Sequence, residues 1–188
     1  MTEFGFIVEG QLEKGFVQKV CKNRPVRVLG INGDNVNLDQ IVRRAETLIN
    51  LMVNKCDAIL IIFDREAREK GHGEIARYVE LELKNLTGEE NIFVGVPDRD
   101  IESWIFADID VPKNRLDSSL ENQELGGDGH KSKGKMKKLF QNNSQSYKET
   151  IDGVDMLSRC RHTTMFENSP SYREFSEKVP RNCWWFTR

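Results

Sequence analysis

The sequence predicts an α/β protein built on a mostly parallel sheet, and three observations predict it. Two short runs, Phe4-Gly5-Phe6-Ile7-Val8 and Ala58-Ile59-Leu60-Ile61-Ile62-Phe63, carry no polar side chain. Such continuity belongs to strands buried on both faces and not to half-exposed antiparallel ones. Segments with helical spacing of apolar residues separate the strand-like runs, so strands and helices alternate through the first hundred residues. Both runs also stop abruptly in acid, at Glu9-Gly10 and at Asp64-Arg65-Glu66.

Taken in order, the first strand is followed by a helix over 11–22, with Leu12, Phe16, Val17 and Val20 on one face. Arg24-Pro25 breaks it, and 26–31 forms a second strand. Asn32-Gly33-Asp34 makes a turn into a helix over 38–54 that carries Ile41, Val42, Ala45, Leu48, Ile49 and Met52 inward. The third strand is 59–64. A helix over 72–86 turns Ile75, Tyr78, Val79 and Leu86 inward and stops at Gly88, and 92–97 is the fourth strand. A βαβαβαβ order of this kind implies right-handed crossovers onto one four-stranded sheet with helices on both faces. A short helix over 101–108 completes a core spanning residues 1–110. Residues 111–188 are expected to form a loop, mainly 113–134, and helices at about 134–142, 146–161 and 170–178, packed on the same domain.

Composition narrows the function. A chain of 188 residues is long enough to bury roughly 70% of its unfolded surface in one domain. The formal net charge of -2 shows no overall basic excess, so any nucleic-acid binding must come from a local patch. Cys21, Cys56, Cys160 and Cys183 fall in no C-x-x-C spacing, and the first residues lack the design of a signal peptide. Reduced thiols in the cytoplasm are expected. The longest apolar run, six residues from Ala58 to Phe63, is far below the ~20 a membrane span needs.

The strand-end acids carry the chemistry. Strands of a parallel sheet end on one edge, so Glu9 and Asp64 can converge there, where mutual repulsion either raises their pKa values or recruits a hard divalent cation. Glu66, two residues past Asp64, faces the same side if the extended backbone persists. Glu13, one helical turn beyond Glu9, and Glu102, at the start of a helix, could hold a second metal or a water. As acids in first helical turns both also suit the helix dipole. An acid after a strand can equally be a helix cap, which is the plain alternative for Asp64. Arg65 is expected to pair with a carboxylate, Trp104 to be core, and His72, His130 and His162 to lack the spacing of zinc ligands.

Phe6-Ile7-Val8-Glu9-Gly10-x-x-Glu13, with a later strand ending Asp64-x-Glu66, resembles the TOPRIM signature. The closer likeness is to small stand-alone TOPRIM-like proteins related to the overcoming-lysogenization-defect nucleases and associated with prokaryotic defence. It also runs through Pro97-x-x-x-Ile101-Glu102-x-Trp104-Ile105-Phe106-Ala107-Asp108 and through 133–175, with Tyr147-Lys148 and Ser169-Pro170-Ser171-Tyr172. Glu66 stands where that pattern has aspartate, its extra methylene carrying the carboxylate outward by roughly 1.5 Å. The resemblance implies a TOPRIM-like (Rossmann-like) fold and a Mg²⁺- or Mn²⁺-dependent nuclease acting on DNA or tRNA, with an ATPase partner of ABC or AAA type. It implies Glu9 and Asp64 as catalytic ligands and Glu9 as first candidate for general base. A non-catalytic, metal-binding adaptor of an ATPase complex is the alternative.

Other readings fit less well. Gly129-x-x-x-x-Gly134-Lys135 begins like a phosphate-binding loop, but Met136 replaces the hydroxyl residue and no apolar strand precedes it. A phosphoacceptor receiver domain needs paired acids after its first strand, and Glu9-Gly10 supplies one. The local basic patch is Lys131, Lys133, Lys135, Lys137 and Lys138. Lys135 or a neighbour is placed against the phosphate charge, with Lys133, Lys137 and Lys138 as further nucleic-acid contacts. Lys135, Lys137 and Lys138 cannot share one helical face, so a groove-lining loop or a helix start is expected to present them. The aromatic tail Cys183-Trp184-Trp185-Phe186 is expected to dock on the chain's own core, on a second copy or on a partner.

Overall fold

The computed structural model describes residues 3–31, 36–116 and 127–179. Among them, strands β1 (Phe4–Val8), β2 (Val26–Val28), β3 (Ala58–Ile62) and β4 (Ile92–Gly95) form one all-parallel sheet in the order β2-β1-β3-β4. The registers set Val8 beside both Val28 and Ile62, and Ile62 beside Gly95, so all four carboxyl ends reach one edge. Helices α1 (Gln11–Val20), α2 (Leu38–Asn50) and α3 (His72–Thr87) carry the crossovers.

Strand alternation divides the core between two layers. Phe6, Val8, Leu60 and Ile62 pack with Leu12, Phe16 and Val17 of α1. Ile7, Ile59, Ile61 and Phe63 point the other way, onto Ile41, Ala45 and Ile49 of α2 and onto Ile75, Val79 and Leu83 of α3. Local chemistry fixes the helix ends. Asn37 and Gln40 cap α2 reciprocally, the Asn37 side chain accepting from Gln40 N at 2.8 Å and Gln40 Oε1 from Asn37 N at 3.1 Å. Gly88, at φ 72°, ends α3 in the left-handed conformation that favours glycine.

The remaining described elements are α4 (Glu102–Ala107), α5 (Asp110–Leu116), α6 (Ser132–Asn142), a π-helical turn (Glu149–Gly153), α7 (Val154–Arg159), α8 (His162–Asn168) and α9 (Pro170–Lys178). Trp104 of α4 is fully buried. Its ring meets Tyr172 edge-on at 5.1 Å and stacks on Phe175 at 5.9 Å, both from α9. Its indole N–H donates to Ser171 Oγ at 2.9 Å, which completes the polar requirement of a buried tryptophan. The Asp128 carboxylate in turn accepts from Ser169 Oγ, Ser171 N and Ser171 Oγ, tying the segment before α6 to the start of α9. No described helix is long and apolar enough to cross a membrane.

Several boundaries differ from expectation. β2 ends at Val28, not 31, and α2 ends at Asn50, with Met52 still buried in the turns that follow. Leu86 is 52% exposed; Leu83, four residues beyond Val79 as Val79 is beyond Ile75, takes the inner position. The segment expected as loop contains α5, whose Pro112 and Leu116 are buried, and its far end enters α6 at Ser132. The helix expected over 146–161 is the π-helical turn followed by α7. Gly153 sits at their junction because a Cβ there would lie 2.6 Å from Tyr147 Oη and 2.8 Å from Leu12 Cδ1. α8 occupies the gap left between the last two expected helices. The Asn32-Gly33-Asp34 turn, residues 117–126 and the aromatic tail lie outside the described residues.

Gly95 at the end of β4 lets α9 close on the sheet, since a Cβ there would stand 2.7 Å from ring carbons of Phe175. Gly95→Ala is therefore expected to lower the unfolding free energy by about 1–3 kcal/mol in urea melts. Adding Phe175→Leu should cost less than the sum of the two single changes, because the second relieves the clash made by the first. Strictly additive losses would show that the ring and the glycine do not depend on each other.

Candidate functional site

The chain runs from β1 through α1 to β2 on one side and from β3 through α3 to β4 on the other. β1 and β3 are neighbours, so the switch point of the sheet lies between their carboxyl ends, where parallel sheets open a crevice. Glu9 immediately follows β1, its own N–H still held by Ile62 O at 3.0 Å. Its Oε2 accepts a hydrogen bond of 2.6 Å from the Asp64 backbone N–H. The two strand-end acids predicted from sequence thus meet. Asp64 caps no helix; α3 starts eight residues later.

A crevice of about 480 Å³ opens there, lined by Glu9, Gly10, Glu13, Asp64, Glu66, Glu102, Lys133 and Glu149 among others. Six carboxyl groups face one lysine. Burial raises the Glu9 carboxyl to about 7, with the nearby charges of Glu13 and Glu66 adding to the rise. Burial lifts Glu102 to about 8, helped by Asp100, and lifts Asp100 itself to about 6. Burial and then the Glu9 charge push Asp64 well above the ordinary carboxylate range. Glu13 is raised by burial as well. Desolvation and like charge act together on every one of these acids, and the Lys133 charge only partly offsets them at Glu13, Asp100 and Glu102.

The walls of the crevice are held by specific contacts. Glu13 works twice: it lines the cavity, and its Oε2 accepts from Gly10 N at 3.0 Å, closing the first turn of α1. Glu102 is almost fully buried and accepts from Tyr147 Oη at 3.0 Å. Lys133 pairs with Glu149 at 2.8 Å. Burial alone would lower the Lys133 ammonium, but the bond to Glu149 and the charges of Glu102, Glu149 and Asp64 outweigh it and raise the pKa. The β3–α3 loop is clamped from outside the cavity. Arg65 pairs with Asp98, while Arg68 donates to Asp64 O at 2.9 Å and Val36 O at 2.8 Å.

Glu9, Asp64, Glu66, Glu13 and Glu102 all line the one crevice. The expectation for Glu66 needs correction in its geometry. β3 ends at Ile62 and Glu66 stands at φ 57°, so a left-handed turn and not a continuing strand brings it to the cavity. Among the lysines the assignment shifts: Lys133 lines the crevice and Lys135 does not, because α6 begins at Ser132 and buries Met136, Leu139 and Phe140. Lys137 reaches Glu149 at 3.6 Å, and Lys138 is exposed on the same helix. All three of Lys135, Lys137 and Lys138 therefore lie in the first two turns of a helix, the second of the two presentations expected. The sequence reading did not single out Asp100, Arg99 or Glu149. Asp98-Arg99-Asp100 follows the fourth strand as Glu9 follows the first, so the strand-end rule, extended to that strand, reaches two of them. Glu149 carries no such signal.

The donor set suits a hard cation, being all carboxylate oxygen. Asp64 Oδ1 is buried with no hydrogen-bond partner among the described residues, a costly state that a cation would relieve. Among the described residues, however, no three His, Cys, Asp or Glu side chains are gathered so as to hold a metal between them. Mg²⁺ keeps several waters and takes one or two carboxylates beside substrate phosphate, so it needs no such gathering.

The raised acids make stability depend on pH in a definite direction. A carboxyl whose folded pKa exceeds its unfolded value binds its proton more tightly when folded. Its contribution is complete below the unfolded value near 4.5 and is lost as pH rises through the folded value, about 7 for Glu9 and about 8 for Glu102. Thermal melts in EDTA are expected to fall by several degrees between pH 5 and pH 8, and Glu9→Gln and Glu102→Gln should each flatten that slope. A melting temperature that climbs over this interval, equally in all three proteins, would contradict the assignment.

No curated protein and no solved structure matches the chain. A family model does, over residues 8–179, a span that holds every residue of the crevice. The chain accordingly belongs to the family described as a domain of unknown function, DUF4276.

Proposed function

We propose that this protein hydrolyses phosphodiester bonds of DNA or RNA with the help of Mg²⁺ or Mn²⁺. The observation that carries the reading is the buried, unpartnered Asp64 Oδ1 beside the Glu9 carboxylate at the sheet's switch point. Glu9 and Asp64 would hold the cation, with Glu13, Glu66 and Glu102 available to a second ion or to coordinated water. When bound, the cation supplies charge neutralisation at the phosphate and lowers the pKa of a water. Lys133, whose ammonium stays charged, faces the same crevice and can meet the negative oxygens of the substrate. Tyr147 donates to Glu102 and so fixes the rotamer of that carboxylate. Burial first, and then the charges of Glu13 and Glu66, raise the Glu9 carboxyl in the metal-free site, and the TOPRIM-like resemblance makes Glu9 the first candidate for general base.

The TOPRIM-like resemblance supports the same chemistry and extends it to a cytoplasmic effector of prokaryotic defence that works with an ATPase. A second reading is a metal-binding adaptor without hydrolysis, which the same carboxylates and the same unpartnered Asp64 Oδ1 would serve.

Purified protein incubated with plasmid, single-stranded DNA and total tRNA, with Mg²⁺ or Mn²⁺ and with EDTA, separates the two. Cleavage that needs the cation is expected, and Glu9→Ala or Asp64→Ala should reduce it to background while leaving the fold intact. Both positions lie at the sheet edge, where loss of mutual repulsion can even raise the melting temperature of the metal-free protein. Two variants that cleave like the wild type would sink the nuclease reading, and Mn²⁺ binding by calorimetry without any cleavage would leave the adaptor.

A further inference from the structure

A second cavity, about 290 Å³, adjoins the carboxylate crevice and shares Glu66 and Lys133 with it. Its balance of charge is reversed. Arg99, Lys131, Lys133 and Lys137 line it, against the acids Glu66 and Asp100. Lys133 and Lys137 are already paired with Glu149. For Arg99 and Lys131 no carboxylate lies within ion-pair distance among the described residues. Arg99 Nε is moreover buried without a hydrogen-bond partner among those residues. A guanidinium N–H in that state lacks an acceptor that an anion would supply.

The backbone holds this guanidinium where it is. Arg99 stands at φ 78° and Glu66 at φ 57°, both uncommon for residues with a Cβ. Glu66 N donates to Arg99 O at 2.9 Å, and Arg99 Nη1 donates to Glu66 O at 3.3 Å, so the loops after β3 and β4 fix each other. Glu66, which lines both cavities, is thus held in place by Arg99 of the basic one.

We infer that the basic cavity binds a phosphate group, and that this phosphate is the neighbour of the phosphodiester held at the carboxylates on one nucleic-acid strand. The second half of the statement rests on the nuclease reading; the first does not. A cation site and an anion site sharing a wall match a substrate that presents phosphates in series.

The test uses the whole chain in EDTA, so that binding is read without cleavage. A fluorescein-labelled single-stranded oligodeoxynucleotide is titrated by anisotropy across a salt series, and inorganic pyrophosphate is titrated by calorimetry. The variant carrying Arg99→Gln with Lys131→Gln is expected to bind the oligonucleotide about tenfold more weakly or worse, with the slope of log K against log salt reduced by roughly 0.7 for the lost phosphate. Its pyrophosphate signal should disappear. Because Arg99 also supports Glu66 O, Lys131→Gln alone, at an exposed side chain, serves as the variant that cannot act through misfolding, and it should shift both readouts in the same direction by a smaller amount. Wild-type affinity and slope in both variants would overturn the inference, as would a wild-type protein that binds neither probe. Weakened binding in the variants, with no cleavage by the wild type in Mg²⁺ or Mn²⁺, would leave the phosphate cavity standing and bring down the nuclease reading alone.

Discussion

The hydrogen bond from the Asp64 backbone to the Glu9 carboxylate is the contact on which the site depends. It joins the ends of β1 and β3 at the point where the chain turns outward in both directions. Two acids placed there by a buried parallel sheet cannot separate without breaking the register that sets Val8 beside Ile62. The backbone donor favours the ionised form of Glu9, while burial disfavours it, and burial wins. The sheet therefore keeps together charges that solvent would keep apart, which is a common way for a fold to hold a reactive or cation-seeking group ready.

The later helices stabilise that arrangement from the opposite side. α4 is buried along its whole length, and its first residue, Glu102, faces the crevice while Trp104 anchors the helix between Tyr172 and Phe175. Aromatic pairs of this kind each contribute about 0.5–1.5 kcal/mol beyond area burial. A change in the Trp104 environment thus acts on the position of Glu102 two residues away. Tyr147 adds a second link, since it donates to Glu102 and packs on Phe140 of α6 at 5.2 Å. Through α4 the packing of the core and the placement of a crevice carboxylate are the same constraint.

Much of this was legible in the sequence, for identifiable reasons. Uninterrupted Val, Ile and Phe give β1 and β3 because only a doubly covered strand is apolar at every position, and the acid that ends each run marks the edge where the strand emerges. Glu9, Asp64, Glu13 and Glu102 could be placed by that rule and by helical spacing. Arg99 and Glu66 reach the basic cavity through left-handed backbone, which no periodic pattern encodes. Glu149 lies 16 residues beyond Lys133 on a π-helical turn, and its partnership follows from tertiary packing alone. Lys133 and Lys135 look alike in the sequence. The buried Met136 and Phe140 set the rotation of α6, and that rotation decides which lysine enters the crevice.

Glu149 gives the charge distribution its logic. It accepts from Lys133 and lies near Lys137, so an internal carboxylate already occupies donors that face both cavities. Without it, two ammonium groups would sit close together beside Arg99 and Lys131, and their repulsion would oppose the packing of α6 on α4. A carboxylate in this place satisfies the lysines at the cost of raising the negative potential in the acidic crevice. An arriving phosphate carries similar oxygens and would compete with Glu149 for the same N–H groups. Under the phosphate proposal such an exchange leaves the number of charge-assisted bonds nearly constant, so most of the gain in binding would come from Arg99 and Lys131, which Glu149 does not reach.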